Sequence, residues 1–380
     1  MAGLYIHIPF CRQKCHYCNF FSLASRKNQQ QIIVSLLQEM ELQKSFAGGE
    51  ALKTIYFGGG TPSLFQPEII EKLIEKAIGI FGIENNAEIT LEANPDDINH
   101  FWLSELRKTR VNRLSLGIQS FFDEDLTWLY RAHNATEAIN AVKLAQDNGF
   151  HNLSIDLIYG IPTLNDERWN ENITKAIALE VPHISAYALT VEPGTALDLF
   201  IRKGKYQAVD DEKAARQFTI LMERLTESKF IHYEISNFCT EGNYSRHNTS
   251  YWSGEKYLGI GPSAHSYNGI ARQWNVSNVG EYIKSIGAGI IPAEKEILTK
   301  IQRFNEYIMT SLRTVWGTDL EKIEAIFGKE FHDHTLSEIN PSIVGKLALI
   351  ENHKIILTNA GKLFADRVAS DMFIEDITVG

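Results

Sequence analysis

Near its start the chain reads Leu4-Tyr-Ile-His-Ile-Pro-Phe-Cys11-Arg-Gln-Lys-Cys15-His-Tyr-Cys18, a short apolar run that leads directly into three cysteines. The apolar run is typical of a buried strand, and three of the chain's four cysteines follow it within eight residues. A Cys-x3-Cys-x2-Cys loop can hold a [4Fe–4S] cluster through three thiolates and leave the fourth iron open to a substrate. The spacing therefore predicts a cluster at Cys11, Cys15 and Cys18.

Cysteines at such a spacing have two other common uses, a structural zinc site and a disulfide framework. A structural zinc ion would need a fourth ligand, which only His7 or His16 could supply nearby, and zinc ligands are usually split into two separated pairs. A disulfide framework is not needed by a chain of 380 residues with four cysteines. Zinc stays open as the lesser alternative, and the isolated Cys239 is interpreted as a small core residue.

Composition and charge narrow the function classes. The chain has 380 residues, of which 44% are hydrophobic and 22% charged, as in an ordinary globular protein with one large and one smaller domain. A net charge of −10 argues against a nucleic-acid partner, whose phosphates require basic residues. No secretory signal and no apolar run near the ~20 residues of a membrane span are visible, so we expect a cytoplasmic protein.

The first half of the chain alternates between strand-like and helical patterns. Six strands alternating with amphipathic helices imply a parallel sheet with right-handed crossovers, either an open sheet or a barrel. The helices are expected around Ile32–Met40, after Pro67, and at Thr136–Asn148, Asp166–Leu179 and Asp210–Lys229. The strands are expected at Leu4–Pro9, Thr54–Phe57, Glu88–Glu92, Arg113–Gly117, Asn152–Tyr159 and His183–Leu189.

Unusual polar and glycine residues fall at the carboxyl ends of these strands. In a barrel of parallel strands, such residues meet on one face and form the active site. The residues are the cysteine loop after the first strand, Gly58–Pro62 after the second, Glu92–Pro95 at the end of the third, Gln119 after the fourth, Asp156 in the fifth, and Ala186-Tyr187 in the sixth.

The pattern changes past residue 230, where segments rich in Tyr, Asn, Ser and Gly are followed by helices. We predict a barrel over residues 1–235, an extension over 236–290 and a C-terminal domain over 291–380. The last part is expected to be winged-helix-like and to serve packing or partner docking, because no basic stripe marks a DNA-recognition helix. Its elements are expected at Leu320–Phe327, Pro341–Leu347, a strand pair around Lys354–Leu357, and a last helix from Asn359.

The cysteine triplet with the preceding Tyr5–Phe10 resembles the signature of the radical S-adenosylmethionine (SAM) superfamily. More narrowly, the chain resembles the branch of oxygen-independent coproporphyrinogen III dehydrogenases (oxidases) and their haem-chaperone relatives, the latter most of all. Further matching motifs are Gly58–Pro62, Glu92–Pro95, Gly117–Phe121, Arg131–His133, Asp156–Pro162 and the C-terminal helical module.

This resemblance implies an α/β fold, a partial (β/α)6 radical-SAM barrel with a C-terminal helical, winged-helix-like domain. It also implies that SAM chelates the open iron and can be cleaved to a 5′-deoxyadenosyl radical. Glycines without a Cβ would let the backbone approach the methionyl group closely. The residues that the resemblance assigns to SAM are Tyr5, Tyr17, Gly59, Gly60, Thr61, Glu92, Gln119, Arg131, Asp156 and Ala186.

Two departures from the dehydrogenase pattern favour the haem-chaperone relatives. The dehydrogenase has a fourth cysteine where this chain has Phe20, and it carries a segment before the first strand that this sequence does not show. His247-Asn-Thr-Ser-Tyr251-Trp252 matches the His-Asn-x-x-Tyr-Trp motif of the chaperones, which implies haem binding through His247, Tyr251 and Trp252. No catalytic residue is assigned.

The expected function is therefore a haem chaperone that binds a [4Fe–4S] cluster, SAM and haem and delivers haem to an acceptor protein. The alternatives are coproporphyrinogen III decarboxylation and radical chemistry on another substrate. The expected partners are a haem-accepting apoprotein and a low-potential electron donor of the flavodoxin or ferredoxin type, without nucleic acid. A homodimer and peripheral membrane association through the acceptor are left open.

Overall fold

The structure is a computed structural model that describes residues 3–46 and 49–375. Its main feature is one large sheet, in which strands join in the spatial order β12-β11-β10-β9-β1-β2-β3-β4-β5-β6-β8-β7. These strands are β1 Gly3–Ile8, β2 Leu52–Gly59, β3 Ile83–Ala93, β4 Arg113–Gln119, β5 Leu153–Tyr159, β6 His183–Ala188, β7 Ile231–Glu234, β8 Asn237–Cys239, β9 Tyr257–Ile260, β10 His265–Tyr267, β11 Ala271–Asn275 and β12 Ala293–Ile297.

Helices connect the strands and cover the sheet. None of the helices in the described ranges is both long and apolar enough to cross a membrane. Their bounds are α1 Gln29–Leu42, α2 Pro67–Phe81, α3 His100–Leu106, α4 Asp123–Trp128, α5 Ala135–Asp147, α6 Asp166–Ala178, α7 Ala196–Arg202, α8 Asp211–Glu227, α9 Arg246–Trp252, α10 Val279–Gly287, α11 Lys300–Leu312, α12 Leu320–Phe327, α13 Lys329–Val344, α14 Asn359–Lys362 and α15 Ala365–Asp371.

The central strands β1 to β6 lie side by side in chain order and all run parallel. This arrangement confirms the six predicted strands and the partial (β/α)6 barrel. The apolar residues of β1 are fully buried, as expected of a parallel strand that is covered on both faces. Because all six carboxyl ends meet at one edge, the residues that follow them are brought together.

The segment predicted as an extension contributes to both ends of this sheet. Strand β9 pairs in parallel with β1, and β10 and β11 continue outward as antiparallel strands. Strand β12, from the predicted C-terminal domain, adds to β11. On the other side, β8 pairs antiparallel with β6 and carries β7 beyond it. The predicted boundary at residue 235 therefore falls between two paired strands, and the domain limits stay a prediction.

Helix α2 illustrates how the sequence determines where a helix begins and ends and which face packs on the sheet. Pro67 occupies its first turn, and the helix ends at Gly82, whose φ of 70° is easily adopted only by glycine. Ile70, Leu73 and Ile74 recur at helical spacing and are fully buried against the sheet. The other predicted helices of the barrel are confirmed in the same way, as α1, α5, α6 and α8.

The C-terminal module has a core of its own, formed by α11, α12, α13 and α15 around a small sheet. This sheet has the order β13-β15-β14, with β13 Thr318–Asp319, β14 Ala348–Glu351 and β15 Lys354–Leu357. The helices and the β14–β15 hairpin agree with the predicted winged-helix-like domain.

Two details of this module correct the prediction. Pro341 does not start a helix; it lies inside α13, because the buried residues Phe331, Thr335 and Ile339 hold that helix against the module's core. The expected single helix from Asn359 is two short helices, since the chain turns between α14 and α15. In both places packing against the core outweighs the local signal.

Candidate functional site

The cysteine loop is fixed at the carboxyl end of β1 by backbone hydrogen bonds. The Cys11 amide donates to the Leu23 carbonyl (3.0 Å), and the Leu23 amide donates to the Pro9 carbonyl (2.9 Å). All three cysteines are free thiols and are partly buried. The structure therefore brings the three predicted ligands together in one anchored loop.

Arg131 places a positive charge beside this loop. Its Nη1 donates to the Cys15 Sγ (3.4 Å), while Nη2 donates to the Asn94 Oδ1 and to the Gly117 carbonyl, both at 2.7 Å. These contacts fix the guanidinium, and its buried Nε has no hydrogen-bond partner among the described residues. The arginine is thus suited to balance negative charge that thiolate ligands would bring to the loop.

The electrostatics of the thiols fit an iron–sulfur cluster. Burial raises the pKa of the Cys18 thiol to about 11, and the nearby Cys15 and Cys11 add to the rise. Without a bound cation the Cys18 thiol would therefore stay protonated, whereas iron favours the thiolate. Three thiol donors beside a fixed arginine therefore fit the group that the spacing predicts.

No group of three or more His, Cys, Asp or Glu side chains in residues 3–46 and 49–375, the three cysteines included, converges to hold a single metal ion. Of the two histidines near the loop, His7 bonds the Tyr5 hydroxyl (3.1 Å) and the Phe21 carbonyl (2.8 Å), while His16 stacks on Tyr130. A cubane differs from zinc, because its thiolates bind separate iron atoms and need not converge on one point.

The glycine run at the end of β2, Gly58–Gly60, packs tightly against β1 and the residue before Cys11. A Cβ on Gly59, where φ is +108°, would collide with the His7 ring, and one on Gly60 would collide with the Phe10 carbonyl. The Gly60 amide donates to the Ile8 carbonyl (2.8 Å), and the Thr61 amide donates to the Phe10 carbonyl (2.7 Å). These two amides already hold the loop, so a SAM contact by Gly60 or Thr61 would have to use other atoms.

Two half-buried carboxyl groups, Glu92 and Asp156, lie near the glycine run. Glu92 accepts a hydrogen bond from the Tyr56 hydroxyl (2.7 Å), yet burial raises its pKa to about 7, and the charge of Asp156 adds to that rise. Burial likewise raises the pKa of Asp156 to about 6, against hydrogen bonds from Ser185 and Ser115. A bound cation such as the SAM ammonium or sulfonium would favour both ionised forms.

Gln119 shows backbone strain of the kind that functional sites retain. Its φ is +68°, which is uncommon for a residue with a side chain, and the β4–β5 register shifts between Leu116 and Gln119. Gly117 gives the space, because a Cβ there would lie 3.0 Å from the Gln119 Nε2 and 3.2 Å from the Arg131 Nη2. The strand end is thus shaped around two predicted SAM residues.

Two further predicted SAM residues have mainly internal contacts. Burial raises the pKa of Tyr17, which hydrogen-bonds Arg131 and lies near Cys15 and Cys18. Ala186 is buried in β6, and its amide donates to the Ser236 carbonyl (2.7 Å). Tyr17 therefore lies beside the cysteine loop, while Ala186 lies within the sheet.

A cavity of about 870 Å³ connects this edge of the sheet with the C-terminal module. Its size lies within the range of pockets that bind cofactors. On the sheet side it reaches the predicted SAM residues Tyr5, Gly59 and Glu92 and the predicted haem residues His247 and Tyr251. On the opposite side it is lined by Arg303, Glu306, Tyr307 and Thr310 of α11 and by Lys322, Ile326 and Phe327 of α12.

His247 is held rigidly in the wall of this cavity. Its Nδ1 shares a hydrogen bond with the Thr54 hydroxyl (2.7 Å), and its Nε2 shares one with the Tyr251 hydroxyl (2.8 Å). Glu88 accepts from the His247 amide (3.0 Å) and so ties α9 to β3. Burial lowers the pKa of His247 to about 3, so the ring is neutral, but both of its nitrogens already have partners.

The other two motif residues point to different neighbours. Tyr251 lines the cavity and packs edge-on against Tyr257 at 4.6 Å between ring centroids. Trp252 is not among the lining residues; the Arg313 guanidinium lies over its ring at 5.5 Å. Tyr251 therefore lies in the cavity wall, whereas Trp252 packs against Arg313 where α9 meets the end of α11.

Several lining residues were not singled out in the sequence. They come from the β9–β11 segment and from the C-terminal module, which lie far from the cysteine loop in the chain. The abundance of tyrosine past residue 230 was the only signal, and it does not fix a register. The residues concerned are His265, Tyr257, Tyr267, Arg272, Arg303, Tyr307 and Lys322.

Comparison with known proteins agrees with this geometry. The model of the radical SAM superfamily matches residues 5–176. The chain is 34% identical to the heme chaperone HemW of Bacillus subtilis, over 97% of this chain and 98% of that protein. It is 33% identical to the heme chaperone HemW of Haemophilus influenzae, over 98% of each chain.

A solved structure shows the same fold over nearly the whole chain. It is coproporphyrinogen III oxidase (HemN) from Escherichia coli, a radical SAM enzyme, with a TM-score of 0.84 and 22% sequence identity. The match covers 98% of this chain and 90% of that one. The barrel and the C-terminal module therefore occur together in a known architecture.

Proposed function

The chain belongs to the radical SAM superfamily, in the group of its HemW relatives, and on that premise we propose that it is a haem chaperone. It would hold a [4Fe–4S] cluster at Cys11, Cys15 and Cys18, bind SAM beside the cluster, and carry haem for delivery to an acceptor protein. The observation that carries this proposal is the cavity of about 870 Å³, which extends from the glycine run to the C-terminal module.

At the cysteine end, the chain's residues would bind and orient rather than react. A cluster held by three thiolates supplies an open iron that can bind and activate SAM. Arg131 would offset the thiolate charge through its contact with Cys15. Gly59 and Glu92, which line the nearby part of the cavity, would face the methionyl and ribose groups of SAM.

At the other end, the walls match the chemistry of haem. Haem is flat and apolar over most of its surface, and it carries two carboxylates. Aromatic side chains such as Tyr187, Tyr257 and Phe327 would cover its faces. The carboxylates would bind the cationic wall of α11 and α12, which contains Arg303 and Lys322.

Arg303 is the strongest of the cations for this purpose. Arg272 is already paired with Glu306 at 2.8 Å, and the Lys322 ammonium lies over the Tyr307 ring at 4.8 Å. By contrast, the buried Nε of Arg303 has no hydrogen-bond partner in the described part of the chain. The Arg303 guanidinium forms no ion pair within the described residues and lines the cavity, so it can pair with a carboxylate that enters.

The fold similarity to HemN supports one alternative, coproporphyrinogen III decarboxylation. That activity would place a porphyrinogen in the same cavity. Phe20, which stands where the resemblance gives the dehydrogenase a fourth cysteine, lines this cavity and is 64% exposed. A phenyl ring cannot supply the thiol of that fourth cysteine, which favours the chaperone over the enzyme.

The remaining parts of the proposal concern partners and location. A haem-accepting apoprotein would take the cargo, and a flavodoxin- or ferredoxin-like donor would reduce the cluster. We place the protein in the cytoplasm, where a reducing environment preserves free thiols. A homodimer and contact with a membrane through the acceptor belong to the same proposal.

The test uses one anaerobic, cluster-reconstituted preparation for both functions. Haem is titrated and followed by its absorbance, transfer to an apoprotein acceptor is measured, and coproporphyrinogen III is incubated with SAM and reductant. We expect saturable haem binding and no decarboxylated product. Formation of the decarboxylated product without haem binding would show that the protein is the enzyme and not the chaperone.

A further inference from the structure

The beginning of the chain differs in charge from the rest of it. The whole chain carries 47 acidic and 37 basic side chains, yet residues 1–38 contain no Asp and no Glu. The basic residues of this segment lie in the cysteine loop or shortly after it, and they are Arg12, Lys14, Arg26 and Lys27. A positive segment in a chain of net charge −10 creates a local field that attracts negatively charged partners.

A second segment with basic residues and no acidic ones, residues 199–209, lies against the cysteine loop. Just before it, the Leu197 amide donates to the His16 carbonyl (2.8 Å). The Phe200 ring packs edge-on against the His16 ring, with centroids 4.9 Å apart, and the Tyr206 hydroxyl shares a hydrogen bond with the His16 Nδ1 (3.2 Å). These three contacts fix the segment beside the loop.

Some of the basic residues in the two segments are already paired, and others are free. Arg12 forms an ion pair with Asp97, and the Arg202 Nε bonds the Asp198 Oδ1 at 2.7 Å. The others are exposed and form no ion pair with any residue in 3–46 or 49–375. Together they are called the basic face, and they are Lys14, Arg26, Lys27, Lys203 and Lys205.

The basic face lies close to the three cysteines. Lys14 directly precedes Cys15, and its charge acts on the Cys18 thiol. The charge of Arg26 acts on Asp97, which is bound to the arginine of the loop itself. All three cysteines are only partly buried. A protein that docks on this face would therefore come close to a cluster held by the loop.

The basic face does not line the cavity. On the cavity side the loop presents Asn19, Phe20 and Phe21, and none of the five basic residues is part of the cavity wall. A protein on the basic face and a ligand in the cavity can therefore be bound at the same time. The cluster site then has one side for a partner and another side for its ligands.

We propose that the basic face docks an acidic protein that carries one electron at low potential. The proposal rests on the cluster of the proposed function and names the surface that its electron donor would use. One electron passes from the reduced carrier of the partner to the oxidised cluster, and no bond or proton moves with it. A compact acidic partner fits better than a nucleic acid, because an extended polyanion would also meet the acidic remainder of the chain.

The test compares two double variants that have the same net charge. Lys14→Glu/Lys203→Glu reverses two charges of the basic face, and neither lysine has an ion pair in the described part of the chain. Lys72→Glu/Lys143→Glu is the matched control, with exposed lysines on α2 and α5. Thermal unfolding checks that both variants are folded.

The probe is a purified flavodoxin, and a short DNA duplex is titrated in parallel. Binding is measured by calorimetry at several salt concentrations, with the cluster-free and the reconstituted protein. Reduction of the cluster by the reduced flavodoxin is followed by electron paramagnetic resonance. Photoreduction with a deazaflavin, a small molecule that needs no docking surface, shows whether the cluster itself is intact.

We expect Lys14→Glu/Lys203→Glu to bind flavodoxin at least about tenfold more weakly than the wild type at about 0.01 M salt, where charges act over about 30 Å. At about 1 M salt, where that distance falls to about 3 Å, both should bind equally weakly. Cluster reduction by flavodoxin should slow in parallel, and photoreduction should not change. The control variant should behave as the wild type.

Different results would overturn different claims. If both double variants lose affinity equally, the net charge is responsible and the basic face is not the docking site. If the DNA duplex binds more tightly than flavodoxin, the face serves a nucleic acid. If the wild type holds its cluster and binds haem but not flavodoxin, the docking proposal fails while the proposed function stands. If the reconstituted chain holds no iron, both fall together.

Discussion

The two ends of the candidate site are built in opposite ways. The cysteine end consists of Cys11, Cys15 and Cys18, which lie within one loop, with Arg131 beside them. The cavity end combines β10, α9, α11 and α12, whose residues are far apart in the chain. The contrast teaches that a cluster site can be encoded in one short stretch, whereas a pocket for a large flat ligand needs several elements around it.

The sharpest way to separate the two ends is to remove a thiol. Cys15→Ser should abolish nearly all bound iron after reconstitution, because the cluster loses one of three ligands. Haem binding should persist, since the cavity wall does not depend on the loop's thiols. Iron and sulfide content and the haem titration are measured on the same sample, with Cys239→Ala as the matched control that keeps its iron. If folded Cys15→Ser lost both its iron and its haem binding, the two ends of the site would not be independent.

A substitution at the cavity end should have the reverse effect, with haem binding weakened and the cluster retained. Arg303→Gln should weaken haem binding by about ten- to a hundredfold, because a hydrogen bond to a charged group is worth about 1.5–3 kcal/mol. Iron content should not change. The exposed Arg202 of α7 provides a control as Arg202→Gln. An unchanged haem dissociation constant in Arg303→Gln would remove this arginine from the binding site.

The pH dependence of SAM binding tests the carboxyl group between the two ends. The pKa of Glu92 is raised to about 7, so its charged form increases as the pH rises through that value. SAM affinity should therefore increase by about tenfold between pH 6 and pH 8, the range over which the ionised fraction changes. The other titratable groups that act on Glu92 are Asp156, whose pKa is raised to about 6, and the Tyr56 hydroxyl.

Glu92→Gln provides the control for this pH effect. The variant cannot ionise at this position, so its SAM affinity should be low and nearly flat above pH 7. Stability should respond in the opposite direction. Because the folded pKa lies above the unfolded value, the wild type loses stability as the pH rises from about 4.5 to 7, and the variant should not. An identical pH profile in both proteins would argue against Glu92 as a SAM ligand.

The smallest effect is expected at Trp252, a residue of the predicted haem motif that does not line the cavity. Trp252→Phe should leave haem affinity unchanged, because this ring contacts Arg313 and does not line the cavity. The free energy of unfolding should fall by about 0.5–1 kcal/mol through a weaker cation–π contact. Chemical denaturation and haem titration measure the two quantities. A marked loss of haem affinity would return Trp252 to the haem site.

Glu39 and Glu92 show why one glutamate could be recognised in the sequence as a site residue and the other could not be assigned a role. Glu39 on α1 has four partners: it bonds Gln43 and Asn275, the Gly261 amide and Tyr282, so it holds the helix to the sheet. Glu92 has one side-chain partner and faces the cavity. Only Glu92 was identified in the sequence, because it ends a predicted strand within a recognisable motif.

The sequence alone established the alternation of strands and helices, the six parallel strands and the cysteine loop. These features are local, since periodicity, turn residues and ligand spacing act over a few neighbouring positions. The predictions of a helix that starts at Pro341 and of a single helix from Asn359 were wrong. Contacts with the module's core hold α13 together through Pro341, and the chain turns between α14 and α15.

Only the tertiary structure decided which side chains meet around the site. The Thr54 hydroxyl that bonds His247 lies 193 positions away in the chain. Lys203 and Lys205 reach the cysteine loop only because their segment packs on His16. Residue identity and spacing can name a ligand, but the contacts of the folded chain determine which distant residues surround it.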